Sequence, residues 1–330
     1  MADLQLGHVS HPCRCSRVNY SQAILENRNR PSDPVFRERF PMPVELHERL
    51  SEFSYGYGVT REVERRLRRQ GLRATPFLPS LLHEASLGFD VAFDRPGTPL
   101  LLQFKLGQAM RRFVPGPRPA LQQPFWRYHI DTAEPDGQFE LLLKAEQDGA
   151  DVFYLAPKFH DWEIYLDAFE NRRVVATSLI VSPGEIRRTL DAHSVPDGAH
   201  KIVYDERRAY LCSDPLELAS IRPSDLAGKL RAHVESREAP IGEVLEEVFA
   251  GFENRSAIRR PRASEGSDDP DRAVYAIPSD QGRQPRLRRE RLERILGTGR
   301  SREEAVALAV GAEAWSSGAQ LIFVTEPPAE

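Results

Sequence analysis

Residues 89–106 read FDVAFDRPGTPLLLQFKL. Within 100–106 every position is apolar except Gln103 and Lys105. An apolar run of that length beside a turn signal predicts a buried strand. Gln103 and Lys105 are two apart, so along a strand both leave the same face, with Leu102, Phe104 and Leu106 on the other. The Arg-Pro-Gly-Thr-Pro segment before it predicts a hairpin loop. Before that loop, 89–94 alternates, with Phe89, Val91 and Phe93 on one face and Asp90 and Asp94 on the other, which predicts a second strand. Antiparallel pairing across the hairpin can bring Asp90 beside Gln103. Burying a lysine in such a strand is costly unless a carboxylate or a phosphate offsets it.

The flanking sequence extends this pattern. Upstream, 44–53 predicts a short helix and Gly56 and Gly58 a turn. Thr60 would then cap a helix over 61–70 that carries Val63 and Leu67 on one face and arginines around the rest. Residues 77–84 predict a first strand, which Pro79 confines to an edge or a strand start. Downstream, 111–123 is a proline-bearing loop and 138–148 a helix. A buried strand over 152–157, a helix over 161–169 and a strand over 174–181 follow, then a strand pair over 202–204 and 209–212. Helix, three strands, helix, strand is the order of an α/β domain with a mixed central sheet flanked by helices. After Pro215, helical spacing returns at 225–235 and 241–252. Residues 254–285 are rich in Arg, Ser, Asp and Pro and read as a linker, with 273–277 able to pair as a short strand. Helices over 287–296 and 301–315 follow, the second opened by a Ser301/Glu304 capping box, and then a strand over 319–325. The expected organisation is an arm at 1–43, an α/β domain at 44–215, a mainly helical C-terminal region with an extension at 216–253, the linker at 254–285, and a small α/β or helical module at 286–330. There is no internal repeat.

The 330 residues carry a net charge of −4, which by itself argues neither for nor against a nucleic-acid partner. Charge is distributed unevenly: Arg61, Arg65, Arg66, Arg68, Arg69 and Arg73 crowd one stretch, and two more arginine runs lie near 255–262 and 283–294. These are either solvated faces balanced by glutamates or phosphate-contacting patches. The three cysteines make no disulfide framework, which fits a reducing cytoplasm, and His11, Cys13 and Cys15 lack a second ligand pair at zinc-site spacing. No run of about 18 apolar residues occurs, so neither secretion nor membrane spanning is expected. There is no phosphate-binding GxxxxGK[ST] loop, and Ser182 and Ser213 lie in proline-bearing turns without a nucleophile elbow.

Phosphodiester hydrolysis requires oxygen donors for a hard divalent cation and a fixed positive charge at the phosphoryl group. Asp90, Gln103 and Lys105 supply those groups. Glu62 and Glu64 on the preceding helix and Glu84 at the end of the first strand are further carboxylates within the segment. The competing reading has Lys105 snorkelling from an edge strand to pair with Asp90. Trp126, Tyr128 and Trp162 could stack on bases, although packing is the commoner use of such rings.

Asp90, followed after a hairpin by Gln103-Phe104-Lys105, resembles the PD-(D/E)XK restriction-endonuclease-like superfamily, in the variant where glutamine replaces the middle acidic residue. The stretches GYGVTREVE at 56–64, PSLLHEASLGFDVAF at 79–93 and LLLQFK at 100–105 are similar to nuclease domains common in bacterial anti-phage defence proteins. The superfamily's order of helix, three-stranded meander, helix and strand is the order read above. The resemblance covers 55–157, and YLAPKFHD at 154–161 and YLCSDP at 210–215 look like an extension of it. It implies a metal-dependent endonuclease that cleaves DNA, with RNA the alternative substrate, serving as the effector subunit of a defence system. It also implies Mg²⁺ or Mn²⁺ as cofactor and control by homo-oligomerisation or a partner defence protein. Asp90 would be the principal metal ligand, Gln103 the second and Glu62 the third, with Glu64 and Glu84 as alternatives. Lys105 would act on the attacking water or the phosphate, and Gln138 matches a glutamine found in some members. Arg65, Arg66 and Arg69 would hold the nucleic-acid backbone. There are two departures: Phe89, not proline, precedes Asp90, and Gln103 brings no charge to the metal. A protein of the same fold that has lost catalysis and binds nucleic acid or a partner protein is the alternative.

Overall fold

The computed structural model describes residues 50–78, 91–110, 119–134, 137–211, 215–253 and 284–327. The chain divides into Met1–Glu45, which falls outside these residues, and Leu46–Glu330. Asp90, Glu84, the His11/Cys13/Cys15 cluster and nearly all of the 254–285 linker also lie outside them.

The fold is α/β, with a mixed five-stranded sheet and a second, antiparallel one. The first sheet has the order β1 (Arg73–Pro76), β10 (Ala319–Thr325), β2 (Gly97–Phe104), β5 (Asp151–Pro157), β6 (Ser178–Val181). Strands β2 and β5 are parallel, and the other neighbours antiparallel. The second sheet is the meander β3 (Gln108–Met110), β4 (Phe125–Asp131), β7 (Ala199–Tyr204), β8 (Ala209–Leu211), β9 (Leu216–Leu218). The helices are α1 (Glu52–Arg69), α2 (Gln138–Gln147), α3 (Trp162–Glu170), α4 (Pro183–Ala192), α5 (Leu226–Ser236), α6 (Ile241–Glu253), α7 (Gln284–Leu296) and α8 (Arg302–Ser316). None of the described helices is long and apolar enough to cross a membrane.

Strand β2 is buried along its whole length, which is why its sequence reads as a continuous apolar run. Its two faces serve two cores. Leu100, Leu102 and Phe104 pack with α1, α3 and α5. Leu101 faces α2, α6, α8 and the inner side of the second sheet. Helix α1 presents Tyr55, Val59, Val63 and Leu67 at four-residue spacing to the first of these cores.

Three expectations are corrected. The hairpin of 89–94 with 100–106 does not form: Val91 and Ala92 have no regular structure, Phe93 and Asp94 are in a turn, and β2 pairs instead with β10 over seven residues. The competing strand is more apolar, and it buries Leu321, Ile322, Phe323 and Val324 where the hairpin would have placed Asp90 and Asp94. Of the strand expected at 77–84, Phe77 and Leu78 have no regular structure and follow β1 at Arg73–Pro76, while 79–84 lie outside the described residues. Helix α1 starts at Glu52, capped by Ser51, whose hydroxyl accepts the Ser54 N–H at 3.0 Å, so Thr60 is no cap. The turn expected at Gly56 and Gly58 is helix interior. A β-carbon at Gly56 would stand 2.6 Å from the Phe104 ring, so glycine serves close helix–sheet approach there.

Helices over 138–148, 161–169, 225–235, 241–252, 287–296 and 301–315 are present as α2, α3, α5, α6, α7 and α8, and the Ser301/Glu304 capping box forms. The C-terminal strand is no appendage, because β10 lies inside the first sheet between β1 and β2.

Candidate active site

Gln103 lies near the carboxyl end of β2, opposite Tyr154 on β5 and Ala319 on β10. Its side chain shares the Leu101 face by strand parity. It is only 2% exposed. Its Nε2 donates to the Phe104 carbonyl at 3.1 Å, while Oε1 has no hydrogen-bond partner among the described residues. Gln138, the first residue of α2, comes to the same place. A β-carbon on Gly318 would stand 3.5 Å from the Gln103 Nε2 and 3.6 Å from the Gln138 Nε2, so the two amides flank that glycine. Gly318 has φ +80, a left-handed conformation that glycine adopts without penalty. Gln138 donates to the Ser317 carbonyl at 2.5 Å, tying α2 to the turn between α8 and β10.

Lys105 follows the last residue of β2, with its backbone N–H on the Leu155 carbonyl at 2.9 Å. The side chain is half-buried. Burial lowers its pKa, and the carboxylate of Glu52, at the start of α1, pulls in the opposite direction. The Lys105 amine is therefore held in a partly dry place, with the Glu52 carboxylate favouring its charged form, at the junction of β2 and α1.

Two tyrosine hydroxyls belong to this region and were not singled out as polar groups from sequence. Tyr154 is the register partner of Gln103, and Tyr128 of β4 stacks on it with ring centroids 6.4 Å apart. Both hydroxyls are buried without a hydrogen-bond partner among the described residues, and burial raises both pKa values, so both remain neutral phenols. Strand alternation in VFYLAP gave the only signal, since Tyr154 shares parity with Val152 and Ala156. The Trp126 and Tyr128 rings are buried and pack in the core, whereas Trp162 is 38% exposed.

Glu62 is not brought to Gln103. It is buried on α1, among the elements that cover the other face of β2. One oxygen takes the Arg66 Nε and Nη2 at 3.1 and 2.6 Å, and the other takes the Val175 N–H at 3.0 Å. Helical spacing explains the arrangement, since residues four apart share a face. Arg66 is committed as well, to Glu62 and to the Pro223 carbonyl at 2.6 Å. Glu64 pairs with Arg68. Arg69 is exposed and Arg65 partly so. Among the described residues, no three His, Cys, Asp or Glu side chains are grouped so as to hold a metal ion. Glu62→Ala is expected to destabilise the fold by about 2–3 kcal/mol in urea unfolding, because it strips partners from Arg66 and from a buried N–H. Cleavage per folded molecule should not change. A large loss of cleavage with unchanged stability would return Glu62 to the site.

A second polar cluster lies where β5 begins. The Asp151 Oδ2 accepts the Thr98 hydroxyl at 2.9 Å and contacts the His233 Nδ1 at 2.7 Å, which fixes α5 to the sheet.

No protein-family model, curated protein or solved structure matches the chain.

Proposed function

We propose that this chain is a metal-dependent endonuclease of restriction-endonuclease-like type that acts on DNA, with Gln103, Lys105 and Asp90 at its centre. The observation that carries the reading is the carbonyl oxygen of Gln103, buried and unpartnered among the described residues while its own nitrogen is anchored. An unsatisfied buried oxygen costs about 1–3 kcal/mol, and a native fold that keeps one calls for a reason beyond packing. Mg²⁺ and Mn²⁺ take oxygen donors, so the Gln103 amide oxygen and the Asp90 carboxylate are the groups that fit such an ion. A bound ion would supply Lewis acidity and a more acidic water.

The chain's own residues supply the remainder. Lys105, cationic and half-buried, can donate to an oxygen on which charge develops, and its low-dielectric setting strengthens that interaction. Tyr154 and Tyr128 wall the Gln103 side with neutral phenols. The order α1, β1, β2, β3, β4, α2, β5, with β2 and β5 parallel, supports a family likeness in its helix–strands–helix–strand frame, whereas β10 beside β2, and β3 and β4 in a second sheet, depart from the expected meander.

A second reading, a non-cleaving scaffold of the same fold that binds nucleic acid or a partner protein, draws support from the commitment of Glu62 to Arg66 and Val175. Incubation with plasmid DNA and with RNA, in Mg²⁺, Mn²⁺ or chelator, separates the two. Cutting is expected with either metal and absent in chelator. Gln103→Leu is expected to lower cutting by about 10–100-fold at limiting metal, and Gln103→Glu to lower the Mg²⁺ requirement by adding a charged donor. Wild-type cutting by Gln103→Leu would remove Gln103 from the centre. Absence of cutting by wild type in every condition would leave the scaffold.

A further inference from the structure

Helix α1 has an outer face as ordered as its buried one. Phe53, Tyr57, Arg61, Arg65 and Arg69 recur at four-residue spacing, so they form one stripe, aromatic at the start and cationic at the end. Phe53 is 77% and Tyr57 58% exposed, unusual for rings on a helix that already buries a full apolar stripe.

Helix α3 continues this surface. Tyr57 stacks on Phe169 with centroids 6.0 Å apart and planes at 29°, and the Arg61 guanidinium lies 4.8 Å over the same Phe169 ring. From Phe169 the aromatic contacts run through Tyr165, at 5.8 Å, to Trp162, at 5.2 Å. At the other end, Arg172 joins the arginines of α1. Its charge, with those of Arg61 and Arg69, lowers the Arg65 pKa, a sign of cations crowded beyond what nearby carboxylates neutralise.

Rings with free faces beside crowded guanidiniums suit a polyanion that carries unstacked bases. A duplex offers phosphates but keeps its bases inside, leaving the rings unused. A second copy docked with the helices parallel would oppose arginines to arginines, and one docked antiparallel would set guanidiniums on rings without supplying an anion to neutralise them. We propose that the outer face of α1 and α3 is a binding track for single-stranded nucleic acid, with bases stacking on Phe53, Tyr57 and Trp162 and phosphates paired to Arg61, Arg65, Arg69 and Arg172. The aromatic end begins one residue from Glu52, whose carboxylate acts on Lys105, so the track starts at the end of α1 that lies toward the junction with β2. The track deepens the nuclease reading and rests on it for the purpose of that strand, but binding can be measured without cleavage.

The test is fluorescence anisotropy of the full chain in chelator, with labelled oligothymidine and a labelled duplex of equal length as probes. The single strand should bind more tightly than the duplex. Tyr57→Ala should weaken single-strand binding by about tenfold and leave duplex binding nearly unchanged, while Tyr57→Phe should restore it. Arg65→Ala with Arg69→Ala should flatten the salt dependence by roughly 0.7 log units per arginine. Equal affinity for both probes, or indifference to Tyr57→Ala, overturns the track. Binding to phosphatidylserine vesicles but not to oligothymidine, or a dimer abolished by Tyr57→Ala, overturns it in favour of a membrane or a second copy. Tight single-strand binding without cutting in any metal sinks the nuclease reading alone. Metal-dependent cutting by a wild type that binds both probes equally sinks the track alone.

Discussion

Lys105→Ala is expected to lower metal-dependent cleavage by about 10²–10³-fold, with nucleic-acid binding in chelator changed only slightly. The magnitude is that of losing one preorganised donor at a site of developing charge. Binding should survive because the proposed phosphate contacts lie with the arginines on the outer face of α1, whereas Lys105 is half-buried. Stability should move the opposite way from activity. Burial penalises the ammonium, so Lys105→Met, which keeps the length and loses the charge, is expected to melt at a higher temperature than wild type. The pH dependence gives an independent check. Because the folded-state pKa is lowered, the unfolded chain holds more protons between that value and the ordinary lysine pKa, so wild-type stability from this group rises with pH across that interval. Below the folded-state pKa both states are protonated and the penalty is fully present. The melting advantage of Lys105→Met should therefore be largest below the folded-state pKa and shrink as pH rises toward the ordinary lysine pKa. A gap that widens in alkali, or a methionine variant that cuts at the wild-type rate, would exclude a buried functional cation.

Legibility in the sequence followed the range of the interactions. Strand β2 was readable because a strongly apolar run reports burial on both faces, and its polar interruption at Gln103 and Lys105 is what drew attention to the candidate site. Helix α8 was readable through its capping box, a signal of four residues. Helix α4 carried an equally local signal, Ser182 as cap with Pro183 in the first turn, hidden by reading Ser-Pro as a turn alone. What sequence could not supply was the partner of β2. A hairpin closes a short loop and is the natural local choice, but pairing with a strand more than 200 residues away buried more apolar surface. The same limit applied to Glu62, since its bond to the Val175 N–H spans 113 residues of sequence. It also applied to Gln103 and Gln138, which meet only because β10 and the turn at Gly318 lie beside them.

A chain ending at Glu253 is expected to aggregate or remain unfolded, although the missing part reads in sequence as a detachable module. Strand β10 lies between β1 and β2 and pairs with both. Leu321, Ile322, Phe323 and Val324 are each at most 1% exposed. At roughly 1.5–3 kcal/mol per buried large side chain, those four contribute about 6–12 kcal/mol, comparable to the whole net stability of a typical domain at about 5–15 kcal/mol. Truncation would also leave β1 without a sheet partner and turn β2 into an open edge, with unpaired backbone groups beside an apolar face. The helices before β10 are fixed to the body by a buried ionic network. Arg288 on α7, 3% exposed, donates to the Glu313 Oε2 on α8 at 2.8 Å and to the Phe252 carbonyl on α6 at 2.7 Å, and Arg291 takes the other Glu313 oxygen. Arg288→Ala strands the buried Glu313 carboxylate with one partner and is expected to cost about 3–5 kcal/mol in urea unfolding. If the shortened chain is monomeric and melts cooperatively near the wild-type temperature, the sheet does not need β10. If it fails to fold while Arg288→Ala folds with a lowered midpoint, the part of the chain after Glu253 belongs to the fold that holds Gln103 in place, and no version of the candidate site can be studied without it.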